Sequence, residues 1–377
     1  MSGWRTGRRP VLAAAAAMLA APAVIPAMAQ SAREVTDGLG RHLVLRAPVR
    51  RVVLAEANDL LLLALVHPDP VGLLVGWGGV GRFDRPLLDK WQRREPRLGH
   101  LPTIGGDTPD SVSLERILAL SPDLVLMPRL FSPQGMLVRQ LEEAGVTVAF
   151  VSSPSPGSRA WDMAPVVTIM GRLLDRERQA GEYADFYRRR IERIAARVAG
   201  AGPGPRVMVE AHAGRAVCCA SPGRQGSMGD FIDLAGGENI AAPVLPVPIG
   251  QISLEYAVSR APEVYIGTGG AYLASEGGLV LGPGQREERA RASLAATLRR
   301  PGIATLPAVR NGRAHGLWHQ LVSSPISVLA AEVMAQWIRP ELFGDLDPAA
   351  SLATLNERFL PVSLRGCLWV SATPPVP

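Results

Sequence analysis

The spacing of apolar residues changes character along this chain. Between Arg50 and Ser153, short apolar runs alternate with helix-period segments. The runs Arg51–Ala55, Val71–Trp77, Leu124–Pro128 and Val146–Val151 predict strands. Leu60–Val66 and Met136–Ala144, the latter closed by Gly145, predict helices. Strands alternating with helices imply a largely parallel sheet. Val35–Arg46, with Asp37-Gly38 inside it, predicts a leading hairpin. From Trp161 to Val198 the pattern becomes purely helical: Met163, Val166, Val167, Met170, Leu173, Leu174, Ala180, Tyr183, Tyr187, Ile191, Ile194 and Val198 share one face. A single helix of that length would extend roughly 57 Å. The α/β rhythm then resumes with strands at Arg206–Ala211, Val264–Ile266 and Arg313–Leu317, and helices at Met228–Ala235 and Ile326–Ile338. The expected fold class is therefore α/β: two α/β lobes with largely parallel central sheets, residues 35–155 and 205–365, joined by one long α-helix within 156–200. A tail over 366–377, ending Pro374-Pro375-Val376-Pro377, is expected to lie outside the fold.

One phrase occurs in both lobes. Ser113-Leu114-Glu115 begins a stretch that reaches Pro122-Asp123, and Ser253-Leu254-Glu255 begins one that reaches Pro262-Glu263. In each copy the serine is a good N-cap, since its oxygen accepts from a free N–H of the first turn. The glutamate then lies near the positive end of the helix dipole. A proline ends the helix and an apolar strand follows. A glutamate in a first turn is common enough to need no function; two matched copies, one per lobe, point to a shared role.

The first 29 residues read as an export signal. Arg8-Arg9 precede an apolar stretch from Val11 to Ile25, and Ala27-Met28-Ala29 fits a small-x-small cleavage site. The paired arginines resemble a twin-arginine signal. No cysteine precedes Cys218, so the expectation is a cleaved, non-lipidated protein exported to a bacterial periplasm, with no membrane insertion of the mature chain. The signal carries three arginines and no acid, so the formal charge of +6 falls to +3 once it is removed. All basic residues except Lys90 are arginine, and no nucleic-acid footprint stands out. Cys218 and Cys219 are adjacent and Cys367 is distant; a bridge from Cys367 to either is one reading in an oxidising compartment.

The ordered set of motifs resembles the periplasmic substrate-binding proteins of ABC importers for ferric siderophores, haem and cobalamin. The matching pieces are Val35–Arg41, Arg51–Leu54, both Ser-Leu-Glu phrases, Leu234–Ile240, and Ser324-Pro325 leading into Ala335–Phe343. The resemblance implies two lobes joined by a long helix. It also implies that Glu115 and Glu255 dock on arginines of an inner-membrane ABC permease dimer. Exposed carboxylates of this kind set orientation and on-rate more than affinity. It further implies a small-molecule iron chelate as cargo, no bound cofactor, and a monomer that is not an enzyme. Cargo would lie between the lobes, beyond the carboxyl ends of the strands. Candidates there are Trp77, Arg82 and Arg129 from the first lobe, and Arg224, Tyr272, Trp318 and His319 from the second. Arginine suits anionic chelates and aromatic rings cover flat ligand faces; each of these residues is also unremarkable as a solvated arginine or core aromatic.

Three alternatives remain at this level. Haem or cobalamin would use the same mechanism, although no tyrosine sits at an obvious first-lobe cleft position. Bare zinc or manganese would use His315 and His319, four apart, but the predicted strand there and the lack of a third ligand weigh against it. An enzyme of related fold lacks support: there is no Gly-x-Ser-x-Gly elbow, no His-Glu-x-x-His and no phosphate loop.

Overall fold

The computed structural model describes residues 1–3, 32–106, 108–129, 131–151, 154, 157–215 and 218–372. All but the first three belong to one body, Ala32–Pro377. The proposed signal, residues 1–29, falls almost entirely outside the described residues, as do Pro374–Pro377. Among the described residues no helix is long and apolar enough to cross a membrane.

The chain enters through an antiparallel hairpin of β1 (Arg33–Thr36) and β2 (His42–Leu45). Asp37 fixes the turn: its carboxylate accepts from the backbone N–H groups of Leu39 and Arg41 and from the Arg41 side chain. The first lobe is a parallel sheet in the order β4-β3-β5-β6, with β3 at Val52–Leu54, β4 at Leu74–Trp77, β5 at Leu124–Met127 and β6 at Thr147–Phe150. Its strands are apolar on both faces because helices cover both; every side chain of β5 is fully buried. The expected strand at Val71–Trp77 begins later, since Asp69 caps a helical turn over Pro70–Leu73 by accepting from the Gly72 N–H.

The second lobe contains β7 (Arg206–Glu210), β8 (Ala220–Pro222), β9 (Glu238–Asn239), β10 (Ile249–Gln251), β11 (Val264–Gly269), β12 (Gly282–Pro283), β13 (Ala314–Trp318), β14 (Gly366–Cys367) and β15 (Trp369–Ser371). Its main sheet runs β15-β13-β11-β7-β9, parallel except for β15. Much of the expected tail is therefore structure: β14 pairs with β12, and β15 adds an antiparallel edge to β13. Before β13 the chain makes a 3-10 turn over Ile303–Thr305.

The connector corrects the single-helix expectation. It is two helices, Ala164–Leu173 and Glu177–Val198, and the second spans about 33 Å at 1.5 Å per residue. The chain breaks at Asp175, which adopts a left-handed φ of 56°, a conformation that Asp tolerates better than most residues. Gly171 lets the two helices touch, because a Cβ there would lie 2.3 Å from the Cβ of Ala180.

The lobes also meet through the helix Arg85–Arg94. Asp84 caps it by accepting from Leu87 N–H, and the same carboxylate accepts from Trp318 Nε1 of the second lobe at 3.2 Å. Lys90 Nζ donates to the Arg365 carbonyl at 3.0 Å. Burial raises the Asp84 pKa to about 6.

Candidate functional site

The carboxyl ends of the strands in both lobes converge on one cleft. Its cavity holds about 560 Å³ and is lined by Arg129 and Pro154 from the first lobe, by Ser158, Ala160 and Met163 at the start of the connector, and by His212, Gly226–Met228, Pro248, Ile249, His319, Val322 and Ser323 from the second. That volume suits a small molecule.

The chemistry is concentrated at the ends of β7, β11 and β13. His212 follows β7 and holds a left-handed φ of 50°, a costly conformation that clusters at functional sites. Thr268, fully buried on β11, organises the surroundings. Its hydroxyl oxygen accepts the His212 backbone N–H at 3.1 Å and lies 2.9 Å from Nδ1 of His319. The two imidazole rings lie 4.0 Å apart. Tyr272, beyond β11, brings its phenol oxygen to 2.6 Å from His212 Nδ1. Gly270 makes this approach possible, since a Cβ there would meet the Tyr272 ring at 2.3 Å.

Electrostatics keep the group neutral. Burial, then Arg215, lowers the His212 pKa; burial, then His212, lowers that of His319. Burial raises Tyr272 above the ordinary phenol range. A protonated phenol and a neutral imidazole share one hydrogen bond at this distance. Their 2.6 Å separation is that of a short hydrogen bond.

The other expected residues fall in several settings. Arg129 is exposed at the cleft, with Nη1 donating to the Pro154 carbonyl. Arg224 is exposed on the loop that carries Gly226 and Ser227. Arg82 forms an ion pair with Glu56, and its carbonyl accepts from Gln320 across the lobes at 3.4 Å. Trp77 and Trp318 are only 3% and 1% exposed, so both rings lie in the core and offer no face to a ligand. Trp77 packs on Phe83, and Trp318 donates to Asp84. His315 and His319 do not act together. His315 stacks on Trp337 at 4.4 Å, with Nδ1 2.9 Å from Ser371 Oγ, whereas His319 turns to His212. His212 escaped the sequence reading, although its place just past a predicted strand was a usable signal.

Cys218 and Cys219 pair with each other, not with Cys367, which keeps a free thiol whose pKa burial raises to about 11. They approach Glu210, but that carboxylate is occupied by Arg300, at 2.6 and 2.8 Å, and by the Tyr265 hydroxyl at 2.6 Å.

The repeated phrase folds alike in both lobes. Ser113 caps the helix Leu114–Ala119 by accepting from Arg116 N–H, and Ser253 caps Leu254–Ser259 by accepting from Tyr256 N–H. Glu115 and Glu255 are exposed, and each has its pKa lowered by its own backbone N–H and by the capping serine.

A family model described as periplasmic binding protein matches residues 52–317. The chain belongs to the periplasmic binding protein family. Members are solute-binding components of ABC transporters, so an inner-membrane permease is the implied partner and solute binding, not catalysis, is the shared activity. No curated protein matches this family member in sequence. Solved structures with the same fold include the TroA-like periplasmic binding protein FepB of Veillonella parvula, 23% identical, with a TM-score of 0.81, covering 90% of this chain and 99% of that one. The molybdate-binding MolA of Haemophilus influenzae is 17% identical, with a TM-score of 0.66 over 89% and 99%. A component of an Fe³⁺-hydroxamate transport system from Saccharomonospora viridis is 21% identical, with a TM-score of 0.54 over 81% and 98%.

Proposed function

We propose that this periplasmic binding protein captures a ferric chelate in the inter-lobe cleft and delivers it to its ABC permease. The observation that carries this reading is the His212–Tyr272 donor pair, 2.6 Å apart at the cleft. A phenol and an imidazole are hard-to-borderline donors that suit ferric iron. The pair offers two such donors side by side for positions that a siderophore leaves open on the metal, while Arg129 offers its charge to an anionic chelate. The iron chemistry named for the Saccharomonospora viridis protein is in keeping with this cargo; molybdate at MolA shows that the fold alone does not choose it. Delivery rests on Glu115 and Glu255 as the paired carboxylates that meet basic sockets of the permease dimer.

Tryptophan-fluorescence titration against ferric siderophores with complete and incomplete coordination spheres, haem, cobalamin and molybdate tests the cargo. The expected result is tightest binding to a ferric chelate with open positions, with a visible phenolate-to-iron charge-transfer band that Tyr272→Phe removes. Tightest binding of haem, cobalamin or molybdate would overturn it. For delivery, Glu115→Ala with Glu255→Ala is expected to abolish uptake while leaving cargo affinity unchanged.

A further inference from the structure

We propose that each docking foot has two parts, a carboxylate and an exposed apolar side chain one helical turn on, and that it receives a permease arginine flanked by an apolar residue. This rests on the reading that Glu115 and Glu255 face the permease. On the first-lobe helix the residue three after Glu115 is Leu118, 36% exposed; on the second-lobe helix the residue three after Glu255 is Val258, 41% exposed. Positions three apart share a helix face, so in both lobes the acid and the apolar group stand side by side. Neither is needed by the core, because Ile117 and Ala257 are the fully buried members of those helices.

Apolar surface lies beside the first foot. Met136, 67% exposed, lines with Phe131 a groove of about 540 Å³ that has Glu115 at its edge. In the second lobe Val247, 46% exposed, precedes β10, whose last residue Gln251 lies two positions before Ser253. Among the described residues, the other exposed large apolar side chains are Met1, Val44 and Val244, with Ile249 and Tyr272 at the cleft. A single exposed leucine needs no explanation, but the same acid-plus-apolar pair repeated in two lobes does. An acidic and apolar surface selects a basic and apolar partner.

Leu118→Gln with Val258→Gln tests this, with affinity measured against the ABC permease dimer in lipid nanodiscs. Both sites are exposed, so melting temperature and cargo affinity are expected to stay at wild-type values while permease affinity falls about tenfold or more. If this variant binds the permease as wild type does while Glu115→Ala with Glu255→Ala does not, the apolar half is wrong and the docking reading stands. If the glutamate variant also binds normally, the docking reading fails and this inference with it. If light scattering shows that wild type self-associates, and the Gln variant is monomeric with unchanged permease affinity, the surface joins copies of this chain instead.

Discussion

At the scale of the residue, the cleft chemistry depends on groups held neutral until cargo arrives. Tyr272 has its phenol pKa raised by burial and so keeps its proton beside His212 Nδ1, and coordination to a metal requires loss of that proton. Capture of a ferric chelate should therefore release a proton and strengthen as pH rises from 6 to 8. Tyr272→Phe should bind more weakly and lose this dependence, measured as heat of binding in buffers of different ionisation enthalpy. An unchanged proton count in the variant would exclude Tyr272 as a donor. Gly270→Ala should weaken capture in the same direction, because the added methyl group occupies the space of the Tyr272 ring. Sequence pattern reaches this scale unevenly. Tyr272, His319 and Arg129 stood out as polar or aromatic residues past strand ends. Trp77 and Trp318 had the same credentials, yet packing against Phe83 and the hydrogen bond to Asp84 take them into the core. Residue type and strand position do not say which way the last side chain of a strand turns.

At the scale of the element, what a local pattern dictates is where that pattern predicts it. Leu60–Val66, all buried, and the fully buried β5 are set by their own apolar runs. The two Ser-Leu-Glu helices start at their serines because the caps are local. The connector break and β15 were not legible, because both depend on partners distant in sequence. Leu174-Asp175-Arg176 contains no glycine or proline, and the turn is fixed by close crossing at Gly171 and Ala180 and by the Arg33–Asp175 ion pair. The antiparallel β15 exists only because β13 offers it an edge. The crossing makes a firm expectation. Gly171→Val forces the two helices apart in a packed interface, and overpacking of this kind costs about 1–3 kcal/mol. Chemical denaturation should show that loss with an unchanged m-value, whereas Gly181→Ala, at a position with nothing near its added Cβ, should be neutral or slightly stabilising.

At the scale of the whole molecule, the two lobes must keep a fixed relation across the cleft. The helix Arg85–Arg94 contributes to this by bridging them, and its capping residue Asp84 is the buried, titratable part of the bridge. Its carboxyl pKa of about 6 lies above the 3.8 of an ordinary aspartate. A group shifted upward in this way stabilises the fold through its protonated form. That contribution is complete below about pH 4, is lost as pH rises through 6, and is absent at neutral pH. Asp84→Asn should remove the buried charge while keeping an oxygen to accept from Trp318 Nε1 and to cap the helix. Thermal melts at pH 7.5 should therefore show the variant more stable by about 1–2 kcal/mol, and its advantage should shrink to nothing between pH 6 and pH 4. Asp84→Ala separates charge from contact: it also removes the buried charge but leaves the indole N–H and the helix cap unpartnered, at about 1–3 kcal/mol. It should fall below Asp84→Asn at every pH. If Asp84→Asn is instead less stable at neutral pH, the ionised carboxylate itself holds the lobes together, and its attraction for Lys90 and the indole outweighs the cost of its burial.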